Sequence, residues 1–190
     1  KSNFKANASS ASDKISNIDL QSLSFLKDAF VIVFVNGKWN QQLSSINNLP
    51  AGLMIENISS ASENEIVKTH YSKYVDFNHH EFAALNTAFM IDGTFIYTAP
   101  KTIVEKPLYI VNIVSEQKDA VTSNCRNLIV ADKFSEIKIG FITLSQNENA
   151  KGFVNVVNEL VTFDNSNLEF DFIQNDNQSV HQISNTYVYQ

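Results

Sequence analysis

The sequence predicts a mainly β protein in which a small mixed α/β region precedes a long run of strands. Two observations predict this. Apolar residues recur every three or four positions from Phe82 to Phe89, as in a helix, and the period changes to two after Gly93. From Thr94 to Gln190 the chain then contains only strand-like segments, joined by connectors rich in Asn, Ser, Asp and Lys. These residues alone leave a sandwich, a barrel and a β-solenoid open.

The mixed region is predicted over residues 1–91. Residues 1–13 are rich in Ser, Asn, Lys and Ala without periodicity, so we expect a mobile end or the remnant of a helical arm. From Ile15 to Leu26 the apolar spacing is loosely helical. Ala29–Val35 is an apolar β-rich run, and the Asn36-Gly37 dipeptide after it predicts a hairpin near residues 31–40.

Further elements are expected before residue 92. A strand is predicted at 53–58, and two helices near 64–90, over 64–74 and 78–90. The second helix is expected to bury the face formed by Phe82, Leu85, Ala88 and Phe89. The Asp92-Gly93 dipeptide predicts a tight turn in which Gly93 takes a strained, positive φ.

The β region is predicted over residues 92–190. No fixed repeat of 20 to 50 residues is visible in it. We expect turns at Ser115–Asn124, Ser145–Lys151 and Gln174–Gln178. The predicted strands are Thr94–Thr98, Leu108–Val114, Asn127–Ala131, Glu136–Leu144, Phe153–Phe163, Leu168–Gln174 and His181–Tyr189.

Composition limits the function. The net charge is −6 and the 14 Lys and Arg residues are dispersed, which argues against a nucleic-acid partner. The longest apolar run, Ala29–Val35, is too short to cross a membrane, and no signal peptide is visible at Lys1, so we expect a cytoplasmic protein without a membrane partner. The five glycines form no phosphate-binding loop, and no Gly-x-Ser-x-Gly elbow occurs.

The four histidines are candidate site residues. His79 and His80 are adjacent, and neighbours on a helix point about 100° apart, so a helix N-terminal pair is favoured over a metal site. His70 shares a helical stretch with Tyr71 and Tyr74 and is expected at the surface or its boundary. His181 has no ligand set near it in sequence.

One thiol and four carboxylates are further candidate site groups. Cys125 lies beside Arg126, which could lower its pKa, but it is the only cysteine and an inert buried thiol is favoured. The carboxylates that a glycosidase or lyase would need are expected to be solvated; they are Asp164, Glu169, Asp171 and Asp176. We therefore expect no catalytic, cofactor-binding or metal-binding residue in this chain.

Several separated segments resemble one known family. They are Val33–Trp39, Leu43-Ser44, Leu49–Leu53, Leu85–Phe89, Asp92-Gly93, Phe95–Tyr97, Pro100-Lys101, Glu105–Leu108 and Arg126–Val130. In this order and spacing they resemble the SufB/SufD family of iron-sulfur cluster assembly proteins, and SufD is the closer member. The matching residues with an expected structural role are Asn86, Asp92, Gly93, Pro100, Lys101 and Pro107.

The resemblance implies a fold and a role. The fold is a right-handed parallel β-helix, a β-solenoid, of which residues 92–190 would be the first coils, continuing beyond Gln190. The role is that of a non-catalytic scaffold subunit that acts with a SufB-like scaffold subunit and a SufC-like ATPase. No cofactor is expected on this chain, because the assembled complex handles the iron-sulfur cluster, through family residues expected after Gln190.

Two alternatives remain open at this stage. One is a SufB-like subunit, which would have its cluster-binding cysteine after Gln190. The other is a β-solenoid that binds or acts on carbohydrate, which the abundant Asn and aromatic residues would suit. Under either reading, an incomplete solenoid is expected to pair edge to edge or to aggregate.

Overall fold

A computed structural model describes Leu20 and residues 23–190 of the chain. Its two α-helices are α1 (Glu65–His70) and α2 (Glu81–Phe89), and short 3-10 helices occupy Ser24–Leu26 and Ser60–Glu63. The strands are β1 (Phe30–Val35), β2 (Lys38–Trp39), β3 (Leu53–Asn57), β4 (Thr94–Thr98), β5 (Leu108–Val114), β6 (Val121–Ala131), β7 (Glu136–Ser145), β8 (Gly152–Thr162), β9 (Asn167–Asn175) and β10 (Val180–Tyr189).

The strands form two five-stranded sheets that together make a parallel β-solenoid of about three turns. Sheet A has the order β2-β1-β5-β7-β9 and sheet B the order β10-β8-β6-β4-β3. From β4 onward successive strands alternate between the sheets, and from β6 onward each strand pairs in parallel with the strand two places earlier. The predicted β-solenoid is confirmed.

The coil repeat explains why no period is visible in the sequence. Partner residues are 31 positions apart between β6 and β8 and between β5 and β7. The offset is 33 between β4 and β6 and 28 between β8 and β10. Because the coil length varies and only burial has to repeat, residue identity does not recur at a fixed interval.

The early strands belong to the same two sheets. β1 pairs in parallel with β5, and β3 pairs antiparallel with β4. The hairpin expected at Asn36-Gly37 is present, since β2 folds back on β1 and both turn residues have positive φ. Helical spacing was also expected from Ile15, but most of that stretch, like residues 1–13, lies outside the described residues.

The junction at Asp92 differs from the prediction. Asp92 bridges in parallel to Cys125 and leads directly into β4, so no tight turn forms. Gly93 is not among the residues with positive φ. A Cβ on Gly93 would lie 1.7 Å from the Arg126 carbonyl oxygen, so glycine is needed here because another backbone passes close by.

Asp92 also joins neighbouring elements through its carboxylate. One oxygen accepts a hydrogen bond from the Trp39 amide at 3.0 Å, and the other accepts from the Asn57 side chain and, at 2.8 Å, from the Gly93 amide. Asp92 thus ties β2, the end of β3 and the start of β4 together.

The connector predicted over Ser115–Asn124 is partly wrong, because β6 already begins at Val121. Its first residues alternate between the two faces of sheet B and pair with Gly152–Asn155 of β8. One of these polar positions is satisfied by stacked amides, because the Asn155 side chain donates to Asn124 Oδ1 at 3.2 Å. A polar sequence that is typical of a loop can therefore form a strand when it pairs within the stacked coils of the solenoid.

Three layers of apolar residues fill the fold. The main core lies between the sheets. The outer face of sheet A is covered by apolar residues of the segment from Leu20 to Ala29, and the outer face of sheet B by residues 65–90, called here the helical cover. No helix in the described part of the chain is long and apolar enough to span a membrane.

The orientation of α2 contradicts the sequence prediction. The buried residues of α2 are Ala83 and Asn86, whereas Phe82, Leu85 and Phe89 are exposed by 42%, 37% and 53%. The expected apolar face therefore points outward. Hydrogen bonds between the helix and sheet B, described below, account for this orientation.

Candidate functional site under the helical cover

A fully buried ion pair lies between sheet B and the helical cover. Arg126 of β6 and Glu159 of β8 both point outward from the solenoid, and neither side chain has solvent-exposed area. Arg126 Nε donates to Glu159 Oε1 at 2.9 Å. Nη2 lies 2.7 Å from the same oxygen but without hydrogen-bond geometry, so that approach is an electrostatic contact.

The cover supplies further partners of this pair. Arg126 Nη1 donates to Thr87 Oγ1 of α2 at 2.7 Å, and the Ser72 amide donates to Glu159 Oε1 at 3.1 Å. The guanidinium carbon lies 4.8 Å from the Tyr71 ring centroid and 5.5 Å from that of Phe77. Aromatic faces attract a desolvated cation, so both rings stabilise the buried charge.

Asparagines fix α2 on the sheet. Asn86 Nδ2 donates to the carbonyl oxygens of Cys125 and Asn155, each at 2.9 Å. In return Asn155 Nδ2 donates to the Phe82 carbonyl at 2.8 Å. These bonds pair the Nδ2 groups of both asparagines with three backbone carbonyls, and they require the Asn86 side of α2 to face the sheet.

Aromatic contacts extend the cover to the last strand of sheet B. The Tyr74 and Tyr189 rings stack with centroids 4.4 Å apart, and His80 meets Tyr187 edge-on at 5.7 Å. Burial raises the pKa of both Tyr74 and Tyr187. The cover thus touches the outer sides of β6, β8 and β10.

The chemistry of this site is that of an anchor. An arginine stays protonated at any physiological pH, and here its charge is matched by the carboxylate beside it. Removing one member of such a pair leaves an uncompensated buried charge, which costs about 3–5 kcal/mol. The pair and the Asn86 bonds are therefore suited to holding the cover on the solenoid.

The predicted histidine positions are not brought together. His80 is the residue before α2 and makes no side-chain cap bond, while His79 Nδ1 lies 2.7 Å from Asp76 Oδ2. That contact lowers the pKa of Asp76. His70 ends α1 with its Nδ1 2.7 Å from the Tyr74 hydroxyl, and burial lowers its pKa. His181 is exposed on β10.

Cys125 lies inside the main core. Burial raises the pKa of its thiol to about 12, and its nearest polar neighbours are Ser123 Oγ at 3.6 Å and Asn112 Oδ1 at 3.9 Å. Arg126 cannot lower this pKa because successive strand residues point to opposite faces. A neutral, buried thiol of this kind is a poor nucleophile.

The candidate carboxylates are dispersed as well. Glu169 pairs with Lys138 at 2.9 Å, and Asp164 pairs with Lys133 at 3.0 Å, all at the surface. Asp171 is exposed on β9, and the half-buried Asp176 has a pKa that burial raises to about 6. Within the described residues, no three His, Cys, Asp or Glu side chains form a group that could hold a metal ion.

Sequence reasoning missed the Arg126–Glu159 pair. Part of the signal was present, because Glu159 is a lone charged residue within the predicted strand Phe153–Phe163, and Arg126 comes directly before the predicted strand Asn127–Ala131. Their proximity depends on the pairing of β6 with β8, which places Glu159 opposite Leu128. Without the coil register the two charges cannot be matched.

Comparisons with known proteins agree on one family. The family model of the SufBD protein N-terminal region matches residues 5–110. The iron-sulfur cluster assembly SufBD family protein ycf24 of Trieres chinensis is 29% identical over 127 residues, 65% of this chain and 26% of that protein. The iron-sulfur cluster assembly SufBD family protein slr0076 of Synechocystis is 23% identical over 168 residues, 84% of this chain and 37% of that protein. The chain thus spans well under half the length of either relative.

Proposed function

This chain belongs to the SufBD family, and on that premise we propose that it is a non-catalytic scaffold subunit of a SUF-type iron-sulfur cluster assembly complex. The observation that supports this most is the family match, which extends over more than half of the chain. Its partners would be a SufB-like scaffold subunit and a SufC-like ATPase.

The buried reactive groups support a scaffold role. Cys125 in the core is buried and neutral, and Arg126 and Glu159 under the helical cover pair with each other. The iron-sulfur cluster would then be cargo of the assembled complex, with no cofactor bound by this chain. We expect a protein with this role to be located in the cytoplasm.

Within the family we assign the chain to the SufD-like side. The assignment comes from the sequence resemblance, in which SufD is the closer member and its earlier segments are also matched, by Val33–Trp39, Leu43-Ser44 and Leu49–Leu53. A SufB-like subunit is the alternative. Both relatives are named as SufBD family proteins, so their names do not distinguish SufB from SufD.

Native mass spectrometry tests the proposal. The protein would be coexpressed with the SufB-like and SufC-like proteins of the same source. We expect it to be recovered in one complex with both partners. If the SufB-like and SufC-like proteins bind each other while this protein stays alone, the proposal fails.

A further inference from the structure

The two methionines of the chain both accept hydrogen bonds through their sulfur atoms. The Tyr71 hydroxyl donates to Met90 Sδ at 2.9 Å, and the Asn64 side-chain amide donates to Met54 Sδ at 3.8 Å. The two donors lie at opposite ends of α1, Asn64 just before the helix and Tyr71 just after it. Because a thioether sulfur is a weak acceptor, both bonds depend on the methionine side chains keeping their packed positions.

The surroundings of the two sulfur atoms differ. Met90 follows α2 directly and packs against the apolar cluster on the outer face of sheet B, which includes Val67 of α1 and Leu128 of β6. Met90 is half-buried, whereas Met54 is 37% exposed on β3. A polar atom added to the Met90 side chain would be held away from water against apolar groups, while one added to Met54 would stay solvated. A chemical change at Met90 therefore costs more stability than the same change at Met54.

The bond to Met90 also positions the aromatic ring that covers the buried cation. The guanidinium carbon of Arg126 lies 4.8 Å from the Tyr71 ring centroid. The hydroxyl end of this ring is held by Met90, and the Tyr71 backbone amide donates to the Val67 carbonyl at 2.8 Å. A displacement of the Met90 sulfur therefore displaces the ring over Arg126, and it weakens the contact of the helical cover with sheet B.

Thioether oxidation is the sulfur chemistry that remains open to this chain, which contains one thiol and two thioethers. Cys125 has no exposed area, and burial raises its pKa to about 12, so the reactive thiolate is almost absent. A thioether needs no ionisation to react with hydrogen peroxide. Its sulfur lone pair attacks one peroxide oxygen, an S–O bond forms as the O–O bond breaks, and the second oxygen takes the proton of the first and leaves as water. The sulfur loses two electrons, and the peroxide gains them.

We propose that Met90 is a peroxide-sensitive modification site whose oxidation to the sulfoxide loosens the helical cover from sheet B. The added oxygen is polar, so the side chain can stay packed only if this oxygen is desolvated against the apolar cluster. Met90 therefore moves toward solvent, and the Tyr71 ring that it holds moves with it. The proposal goes beyond the scaffold assignment and does not depend on it.

Amide hydrogen exchange measured by mass spectrometry, before and after treatment with hydrogen peroxide, tests the proposal. Met54 and Met90 fall in different tryptic peptides, because Lys68 and Lys73 lie between them, so the oxygen on each methionine can be counted. After treatment of the wild-type chain, we expect the amides of residues 65–90 to exchange about tenfold faster, while sheet A stays protected. Met54→Leu should respond like the wild type. Met90→Leu should not respond, because leucine keeps nearly the same volume without an oxidisable sulfur.

A variant that needs no oxidant completes the test. Met90→Gln places a polar group of similar length at this position, and it should speed exchange in residues 65–90 without peroxide. The proposal is overturned if Met90 resists oxidation in the folded chain while Met54 is oxidised, or if Met90→Leu responds as strongly as the wild type. It is also overturned if Met90→Gln leaves exchange unchanged, or if sheet A loses protection together with the cover. Because no SUF protein is used, such a failure leaves the scaffold proposal standing.

Discussion

Replacing Gly93 by alanine is expected to lower the free energy of unfolding by about 3–5 kcal/mol, which is near the upper end for a single substitution. The added Cβ would lie 1.7 Å from the carbonyl oxygen and 2.7 Å from the carbonyl carbon of Arg126. The obstacle is backbone of β6, which is held by β4 on one side and β8 on the other. One of the strands must therefore shift and lose ladder hydrogen bonds. Urea unfolding followed by circular dichroism measures the effect.

Gly140→Ala is the matched control for Gly93→Ala. A Cβ on Gly140 would lie 2.5 Å from the Tyr109 ring, so the contact is also too close, but the obstacle is a half-buried side chain. The ring can move, and we expect a loss of about 1 kcal/mol. A Gly93→Ala variant that is as stable as Gly140→Ala would contradict the explanation given for Gly93.

Arg126→Met is expected to lower the free energy of unfolding by about 3–5 kcal/mol, because it leaves the Glu159 carboxylate buried and unpaired. It also removes the bond to Thr87 and the cation under Tyr71. The double variant Arg126→Met/Glu159→Gln should recover part of this loss, since no uncompensated charge then remains. Urea unfolding of the two single variants and the double variant measures the coupling.

A surface pair serves as the control for this prediction. Lys133 and Asp164 are 3.0 Å apart with side chains 53% and 74% exposed. Lys133→Met should change the stability by less than about 0.5 kcal/mol, since exposed ion pairs contribute little. If Arg126→Met were as mild as Lys133→Met, the ion pair would not be the anchor of the helical cover.

The features that were predicted correctly depend on local sequence. The Asn36-Gly37 hairpin follows from residues that tolerate positive φ, and most strand centres follow from apolar runs. The choice of a solenoid came from the family resemblance, because burial repeats along these coils without a fixed sequence period.

The features that were missed depend on contacts between distant residues. The α2 helix has a clear apolar face, but Asn86 bonds to carbonyls 39 and 69 positions away and turns that face outward. Gly93 was expected at a turn because its reason, the approach of Arg126, lies in another strand. The partner of Arg126 is Glu159, and only the coil register brings them together. Local pattern determines what kind of element forms, while register determines which side of it is used.

The hydrogen bonds on the inner side of α2 also determine which residues are exposed on its outer side. Polar groups on the inner side of the helical cover, Asn86 and Thr87, bond to the sheet, which leaves apolar groups on the outer side.

The most direct test of the scaffold assignment is cluster assembly by the SUF-type complex with and without this protein. Iron and acid-labile sulfide would be measured in the complex purified after coexpression, and in this protein purified alone. We expect the complex to lose most of its iron and sulfide when this subunit is omitted, while the subunit alone contains neither. Unchanged cluster content in its absence, or a stable cluster on the isolated protein, would contradict the assignment.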